Sequence, residues 1–414
     1  MKVLVLGAGL AGIPSAYYLA RDGHEVTVID RQSAAAMETS FANGSLLCQG
    51  HSYPWASPAA PRIMLKSFFR NDQALRIAPK VDPRMWSWLL KFLCECPRNR
   101  ADKHAATRLR LASYSQDVMR QVVRDTGIEF FHTDKGLLYV YRTHHSMDEG
   151  LRQMRVLEQA GLGIEVVSGA RAAELEPALK PVADKLVGGV YVPSDGTGDA
   201  RLFTAELARV CAERGVEFMF NTQVLDLNVV NNKVQSVSTS KGVIQADAIV
   251  VAMGSYSSVL LRKYGVKIDV FPVKGYSMTV PILRPEEAPT MGGLDEDNLL
   301  AFSVLGDRLR LTATAEFTGY DMRISQTDFR YMTQAAKDLF PTIGDYSKAE
   351  LWCGLRPATP DGNPLFGPTK ISNLFLNTGH GSQGWTMSCG SGKVTADLIA
   401  GREPDIDMSG LMYQ

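Results

Sequence analysis

Residues 2–30 read KVLVLGAGLAGIPSAYYLARDGHEVTVID, and this stretch decides the fold. Lys2 to Leu6 is apolar and partly β-branched, which predicts a buried strand. Gly7-Ala8-Gly9-Leu10-Ala11-Gly12 follows, then a helical pattern through Ala20 that stops at Gly23. His24 to Ile29 predicts a second strand, ending in Asp30. The whole is a β-α-β unit with a GxGxxG turn and an acid 18 residues after Gly12. Each glycine has a task. Gly7 permits the tight turn, Gly9 lets a pyrophosphate approach the backbone, and Gly12 lets helix pack on strand. The helix N-terminus, with Leu10 and Ala11 in its lead-in, offers free N–H groups and a positive dipole end to phosphates. Asp30 is placed to accept hydrogen bonds from an adenosine ribose. The strand, helix and acid fall where dinucleotide binding requires them. The motif alone does not separate FAD from NAD.

The rest of the chain sets bounds on that reading. Its 414 residues correspond to two or three domains, at a usual size of ~100–200 residues each. Hydrophobic residues at 45% against 21% charged supply a large core. Lys plus Arg and Asp plus Glu are 44 each, so the chain lacks the basic excess of a nucleic-acid binder. Six cysteines are few for this length and form no Cys-x-x-Cys pair. That argues against a disulfide scaffold or structural zinc and for a reducing, cytoplasmic setting. The first apolar run is short and broken by glycines, so no signal peptide is expected. No uninterrupted apolar window of ~18 residues predicts a membrane-spanning helix.

Beyond Asp30, residues 52–61 carry three prolines and interrupt the pattern. Residues 62–110 read mainly as helix and connector, with a long helix from about 105 to 124. Gly136 to Arg142 reads as a strand. Asp199 is placed to cap a helix running to Arg214, with Phe203, Leu207, Val210 and Cys211 on one face. Asn231-Asn232 marks a hairpin turn, and residues 248–254 form an apolar strand ending in glycine. Strand patterns fill 265–315, glycine-rich loops follow, and a last helix runs from about Trp385 to Gly401.

Several further segments stand out: ETSFANG at 38–44, SDGTGDARLFT at 194–204, VVAMGSYS at 250–257, PVKGYS at 272–277, GLRPATPDGNP at 354–364 and NTGHGSQGWTMSCGSG at 377–392. With GAGLAG and SAYYLARDGHEVTVIDR they cover nearly the whole chain. In them the chain resembles the D-amino-acid oxidase/glycine oxidase superfamily of FAD enzymes. Within it, the chain is most similar to the bacterial FAD-dependent D-amino acid dehydrogenases of the small, quinone-linked type. The resemblance implies an α/β and α+β architecture, a discontinuous Rossmann-like FAD-binding domain with an inserted substrate domain of sheet and helices. The expected FAD-binding parts are 1–60, 190–262 and 345–414. The expected substrate or cap parts are 61–189 and 263–344.

The same resemblance implies roles for individual residues. Gly7, Gly9 and Gly12, with Leu10 and Ala11, would hold the FAD pyrophosphate, and Asp30 and Arg31 the adenosine end. Thr39, Ser40, Asn43 and Gly44 would line the flavin side, and Val224 and Gly254 the adenine half. Gly354, Gly381, Gln383, Gly384, Trp385 and Thr386 would close over the isoalloxazine, where a glycine loop opening a helix favours negative charge. Arg356 would grip the substrate carboxylate with its planar guanidinium. Tyr276 is either a second active-site residue or a core tyrosine. His51, Tyr53 and Trp55 either reach the substrate or are packed aromatics. His380 is either flavin-adjacent or structural. Cys353 and Cys389 read as small buried thiols, and no metal is expected.

The implied reaction is oxidation of a D-amino acid by hydride transfer from Cα to flavin N5. The products would be a 2-oxo acid and ammonia, or a cyclic imine from a D-proline-type substrate. The loop LLCQGHSYPW at 46–55 and Gln383 depart from the family pattern by adding polar groups beside the expected substrate side chain. They point to a polar or cyclic substrate, such as a hydroxylated D-proline. The rivals are an oxygen-using glycine, sarcosine or proline oxidase of the same superfamily, an NAD enzyme, and a non-catalytic flavin-binding subunit. The NAD reading leaves the GHGSQGWT loop unexplained.

The balanced charge conceals one uneven segment. Residues 62–110 hold twelve Lys/Arg and four Asp/Glu, a net +8. Within it lies MWSWLLKFL at 85–93. Residues 84–93 are either a cap helix packed on its own protein or a peripheral anchor on the inner face of the cell membrane. The anchor would bring a quinone or respiratory-chain acceptor within reach.

Overall fold

A computed structural model describes residues 1–67, 74–77 and 82–414. Arg70, Asp72 and Lys80 of the basic segment lie outside the described residues. Two sheets organise the chain.

The first is the dinucleotide-type sheet. Its strands run in the order Leu365–Pro368, Leu374–Thr378, Ala248–Val251, Lys2–Leu6, Glu25–Ile29, Glu217–Met219. All neighbours are parallel except the edge strand Leu365–Pro368. The central strand is covered on both faces, which is why its residues from Val3 to Leu6 are uniformly apolar and buried. The helix Gly12–Arg21 packs against the helices Ala200–Glu213 and Ser388–Ile399. A Cβ at Gly392 would lie 2.5 Å from the carbonyl carbon of Pro14, so glycine permits that helix crossing. Asp199 caps the helix Ala200–Glu213, accepting the N–H groups of Arg201 and Leu202. Asn231 and Asn232 take φ of 51° and 55° between antiparallel strands Val224–Val230 and Lys233–Thr239, as a two-residue hairpin requires.

The second sheet is larger and mixed. Its path is Glu350–Ala358, Phe271–Pro281, Arg308–Phe317, Leu300–Leu305, Gly292–Asp295, Leu137–Tyr141, Gly188–Val192, Glu165–Ser168. Leu75–Ile77 joins Arg308–Phe317 from the side. Glu350–Ala358 thus hydrogen-bonds to Phe271–Pro281, and the chain re-enters the first sheet only at Leu365. That strand carries Arg356 into the larger sheet, opposite Val273.

The long helix is Arg98–Thr126, extending past the expected 105–124 at both ends. It starts after Pro97 and stops at Gly127, whose φ of 65° and N–H to Val123 O form a left-handed cap. The helix Pro83–Glu95 buries Met85, Trp88, Leu89 and Phe92. The Trp88 ring lies against Phe271 and Phe317, and its Nε1 donates to Ala358 O at 3.0 Å. Trp86, Leu90 and Leu93 remain exposed on the other side. The stretch therefore has a packed face and a more exposed one. The basic count also shrinks as a surface property, because Arg76 and Arg108 are buried.

Among the described residues no helix is long and apolar enough to cross a membrane. The six cysteines are free, and no group of three or more His, Cys, Asp or Glu among the described residues could hold a metal.

Candidate active site

The two sheets and the loops between them enclose a cavity of about 980 Å³. This is near the top of the range for ligand pockets, about 300–1,000 Å³, and leaves room for a large cofactor with a small substrate. At one end stand Gly7 to Ala11, Asp30 and Arg31, with Val224 and Gly254 beside them. Thr39, Ser40, Asn43 and Gly44 continue the wall. The far part is lined by His51, Tyr53, Tyr276, Gly354, Arg356, His380, Gly381, Gln383, Gly384 and Trp385.

The glycine turn is built as its spacing predicts. Gly7 has φ of 110°, and a Cβ there would sit 2.6 Å from Ala252 O. A Cβ at Gly12 would lie 1.8 Å from Gly7 O, so Gly12 serves helix–strand contact and is not on the cavity wall. At Gly9 the nearest atom to a Cβ is the Ser40 hydroxyl, 3.1 Å away, so that side is open toward a ligand. The same hydroxyl accepts Leu10 N–H at 3.1 Å. Asp30 accepts the N–H groups of Ala8 and Gln32 at 2.7 and 2.8 Å. Burial raises its pKa while those two bonds oppose the rise. Arg31 pairs with Glu38 and lies 4.0 Å over the Tyr256 ring.

The donor set fits a dinucleotide cofactor. Ser45 Oγ and Asn377 Oδ1 are buried on the cavity wall with no hydrogen-bond partner among the described residues. Across the cavity, Gly381 N–H donates to Pro357 O and Gln383 N–H to His380 O. Thr39 donates to Leu355 O, Asn43 Oδ1 accepts Ser45 N–H, and Gly44 O accepts the Ser303 hydroxyl. These bonds fix the 39–45 segment against the larger sheet.

Arg356 is the feature that dominates the far part. Its Nη1 donates to Thr314 O at 3.1 Å, and its guanidinium lies 5.9 Å from the Trp55 ring. Among the described residues it makes no ion pair with a carboxylate. Burial lowers its pKa to about 10, so it stays charged at neutral pH. A Cβ at Gly275 would meet Arg356 Nη1 at 2.1 Å, so glycine there makes space for the guanidinium. A Cβ at Gly354 would meet the Trp352 ring at 2.1 Å. A half-buried guanidinium facing a cavity, with no counterion among the described residues, is a site for a planar anion such as a carboxylate.

The other expected residues hold the site together. Gln383 is buried; its Oε1 accepts from Arg108 at 3.2 Å and its Nε2 donates to Cys48 O at 2.9 Å. Both ends of the amide are engaged in clamping the 46–55 loop. Thr386 lies off the cavity and accepts Cys48 N–H at 3.1 Å. Trp385 packs on Phe203 and Phe130 and donates to Gly198 O. Tyr276 reaches the cavity, but its hydroxyl donates to Glu316 and its ring packs on Phe329. His380 shares a hydrogen bond with the Ser391 hydroxyl at 2.9 Å, and burial lowers its pKa to about 4. His51 is held near 4 chiefly by burial, with Arg108 adding to it. Its ring lies 4.5 Å from that of Tyr53. Cys353 and Cys389 are buried thiols whose pKa burial raises.

Three residues escaped the reading of the sequence. Arg108 sits inside, donating to Ser52 O, Gly362 O and Gln383. Asp195 accepts Gln49 N–H at 2.6 Å, Gly50 N–H at 3.2 Å and the Tyr139 hydroxyl at 2.8 Å. Burial still raises its pKa to about 7. Glu296 reaches the cavity and accepts the Tyr53 hydroxyl at 2.7 Å. Asp195→Ala leaves three buried donors without an acceptor. At about 1–3 kcal/mol for each such group, less any relaxation, unfolding should cost roughly 3–5 kcal/mol less. Denaturant unfolding checks this, with Asp195→Asn expected to recover most of the loss.

Comparison with known proteins agrees with this geometry. Residues 2–398 match the DAO family, described as FAD dependent oxidoreductase. The chain is 47% identical over 414 residues to D-amino acid dehydrogenase 2 of Mesorhizobium japonicum, covering 100% of both chains. It is 43% identical to the D-amino acid dehydrogenase of Agrobacterium fabrum, covering 99% of this chain and 98% of that one. The glycine oxidase structure of Geobacillus kaustophilus superposes with a TM-score of 0.77 at 23% identity, over 100% and 98% of the two chains. The L-proline dehydrogenase of P. horikoshii gives 0.75 at 18%, over 97% and 94%. With a glycine turn, an acid at the second strand and a cavity reaching an arginine that has no ion pair among the described residues, the chain belongs to the DAO family of FAD-dependent oxidoreductases.

Proposed function

We propose that this enzyme is an FAD-dependent D-amino acid dehydrogenase. It would convert a D-amino acid to a 2-oxo acid and ammonia, or a D-proline-type substrate to its cyclic imine. The observation that carries the reading is Arg356, a charged guanidinium with no counterion among the described residues, facing a cavity that the glycine turn also lines. The D configuration is supported by the names of relatives at 43–47% identity.

When bound, FAD supplies the two-electron acceptor for the oxidation of the substrate's Cα–N bond. Gly7, Gly9, Leu10 and Ala11 would hold its phosphates, with Gly12 shaping the turn. Asp30, Arg31, Val224 and Gly254 would stand at its adenosine end. Thr39, Ser40, Asn43, Gly44, Gly354, Gly381 and Gly384 would line its flavin end. The protein's part is orientation. Arg356 binds the carboxylate through two parallel N–H bonds and so fixes the rotation of Cα. Trp55 and Tyr276 bound the same space. The substrate amine must arrive neutral, and the low pKa of His51 keeps that side chain an uncharged neighbour.

The decisive test is anaerobic addition of D-amino acids to the yellow holoenzyme. Bleaching of the flavin by D- but not L-enantiomers, and turnover with an artificial electron acceptor, support the proposal. Stoichiometric hydrogen peroxide in air would favour an oxidase instead. A holoenzyme bleached by no amino acid would favour a non-catalytic flavin-binding subunit.

The acceptor is proposed to be a quinone, reached through peripheral contact with the membrane. The support is the exposed apolar residues Trp86, Leu90 and Leu93 on the helix Pro83–Glu95, within a segment of basic sequence. Lys91 is paired with Asp269 at 2.6 Å and Arg84 with Asp82 at 3.0 Å, which reduces the free positive charge. Changing Trp86 and Leu90 together to Ser should lower partitioning onto anionic vesicles about tenfold or more, since each buries about 1.5–3 kcal/mol of apolar surface when fully inserted. Trp88→Ser should instead lower the melting temperature, because Trp88 is core. Vesicle sedimentation unchanged in the double variant would refute the membrane contact.

A further inference from the structure

The residues Asp295, Glu296 and Asp297 follow one another; among the described residues only Asp295 is paired with a cation, and Asp297 is held by a backbone N–H and hydroxyls. Asp295 is buried and paired with Arg142 at 2.7 Å, and it accepts Asn298 N–H at 3.1 Å. Asp297 accepts Arg142 N–H at 2.6 Å and the Ser146 hydroxyl at 2.8 Å. Glu296 donates its backbone N–H to Val140 O and turns its side chain to the cavity. There its Oε1 accepts the Tyr53 hydroxyl, and among the described residues it makes no ion pair. A carboxylate in such a place has unused lone pairs and no charge partner. That is costly unless a ligand supplies a donor.

Sheet register relates this carboxylate to Thr314, whose carbonyl accepts from Arg356. Thr312, Ala301 and Leu294 form one cross-strand row. Thr314 and Glu296 each lie two residues further toward the same end of their strands. Thr314 O holds the Arg356 guanidinium. Two inter-strand spacings, about 10 Å, therefore separate the backbone of Glu296 from that of Thr314, to which the guanidinium is bonded. Ala301, Leu294, Leu299 and Thr312 line the cavity between them. A small substrate with a carboxylate at one end and a hydrogen-bond donor at the other spans that distance.

We propose that Glu296, held by the Tyr53 hydroxyl, is a specificity-determining residue that accepts a hydrogen bond from a hydroxyl or amino group on the substrate's side chain. The proposal rests on the reading of the cavity as a D-amino acid site. It deepens that reading by naming the polar end of the substrate. Burial, reinforced by Asp295 and Asp297, raises the Glu296 pKa to about 7. A bound cation or hydroxyl would offset that penalty. A purely apolar side chain would leave it standing, so discrimination comes from both attraction and exclusion.

The test compares near-isosteric substrates in the wild-type holoenzyme with an artificial electron acceptor. One pair is D-lysine against D-norleucine. The other is 4-hydroxy-D-proline against D-proline. In at least one pair the donor-bearing member should exceed its partner about tenfold or more in kcat/KM. Glu296→Gln removes the charge but keeps an acceptor, and Glu296→Leu removes both. If the donor is an ammonium, the preference collapses in both variants. If it is a hydroxyl, it survives largely in Gln and collapses in Leu. Flavin content and melting temperature report whether each variant is folded, and the wild-type comparison needs no variant at all. Equal kcat/KM within both pairs would overturn the proposal while leaving the role of Arg356 intact. A preference that both variants leave untouched would overturn it as well. A holoenzyme that turns over none of the four, and no other D-amino acid, would remove the underlying reading and this proposal with it.

Discussion

Arg356→Leu should keep its flavin and lose about 10³-fold or more in kcat/KM. The physical basis is the geometry around the guanidinium. It is half-buried, it is charged, and it donates to Thr314 O. The remaining N–H donors face the cavity, where a carboxylate can take two of them in parallel. Removing one member of a buried, hydrogen-bonded charge pair costs about 2–5 kcal/mol. At about 1.36 kcal/mol per tenfold, a 10³-fold loss corresponds to about 4 kcal/mol. Arg356→Lys should recover only part of this, because an ammonium is a point charge without the planar fork. The flavin should remain because the glycine turn and Asp30 belong to other strands. A Leu variant within about tenfold of wild type would show that the carboxylate is bound elsewhere. Steady-state kinetics with the best D-amino acid decides it.

Much of the dinucleotide sheet was legible because its signals are local. An apolar strand, three spaced glycines and a terminal acid lie within residues 2–30, and no distant contact is needed to interpret them. The Asp199 cap and the Asn231-Asn232 turn were legible for the same reason. The long helix was read short because its first turns, RNRADKH, are polar and give no apolar stripe. Pro97 and Gly127 were the usable signals for its true ends. The larger sheet was harder. Gly292–Asp295 is only four residues long and is held by partners on both sides, Leu300–Leu305 and Leu137–Tyr141. Glu296 follows it inside an acidic run that looks like a solvated turn. Only the folding of the larger sheet brings that residue to the wall of the cavity that Arg356 also lines. Arg108 and Trp88 carry a related lesson. Both sat in a segment read as basic and aromatic, and helical phase buries them while Trp86 stays outside. Gln383 was read as a polar group beside the expected substrate side chain, on the same footing as the 46–55 loop. Its two amide bonds, to Arg108 and Cys48, make it a clamp on that loop.

The second and third glycines of the turn, Gly9 and Gly12, should fail in different ways. Gly12→Ala places a methyl 1.8 Å from Gly7 O, a backbone atom held in the turn. The helix Gly12–Arg21 must then move off the strand Lys2–Leu6, and its contacts with the two neighbouring helices move with it. Overpacking of this kind costs about 1–3 kcal/mol where side chains can adjust, and more where backbone must yield. The variant should therefore melt several degrees lower and purify with little flavin. Gly9→Ala meets only the Ser40 hydroxyl at 3.1 Å, which can rotate. Its protein should melt near the wild-type apoprotein. Yet the new methyl projects where a pyrophosphate approaches the backbone, so flavin affinity should fall about 100-fold or more. The measurements are the flavin-to-protein absorbance ratio and the melting temperature of apoprotein and of FAD-reconstituted protein. If Gly9→Ala bound FAD as wild type does, the phosphates would not lie on this turn. If Gly12→Ala melted normally, the close contact of helix and strand would not be what that glycine serves.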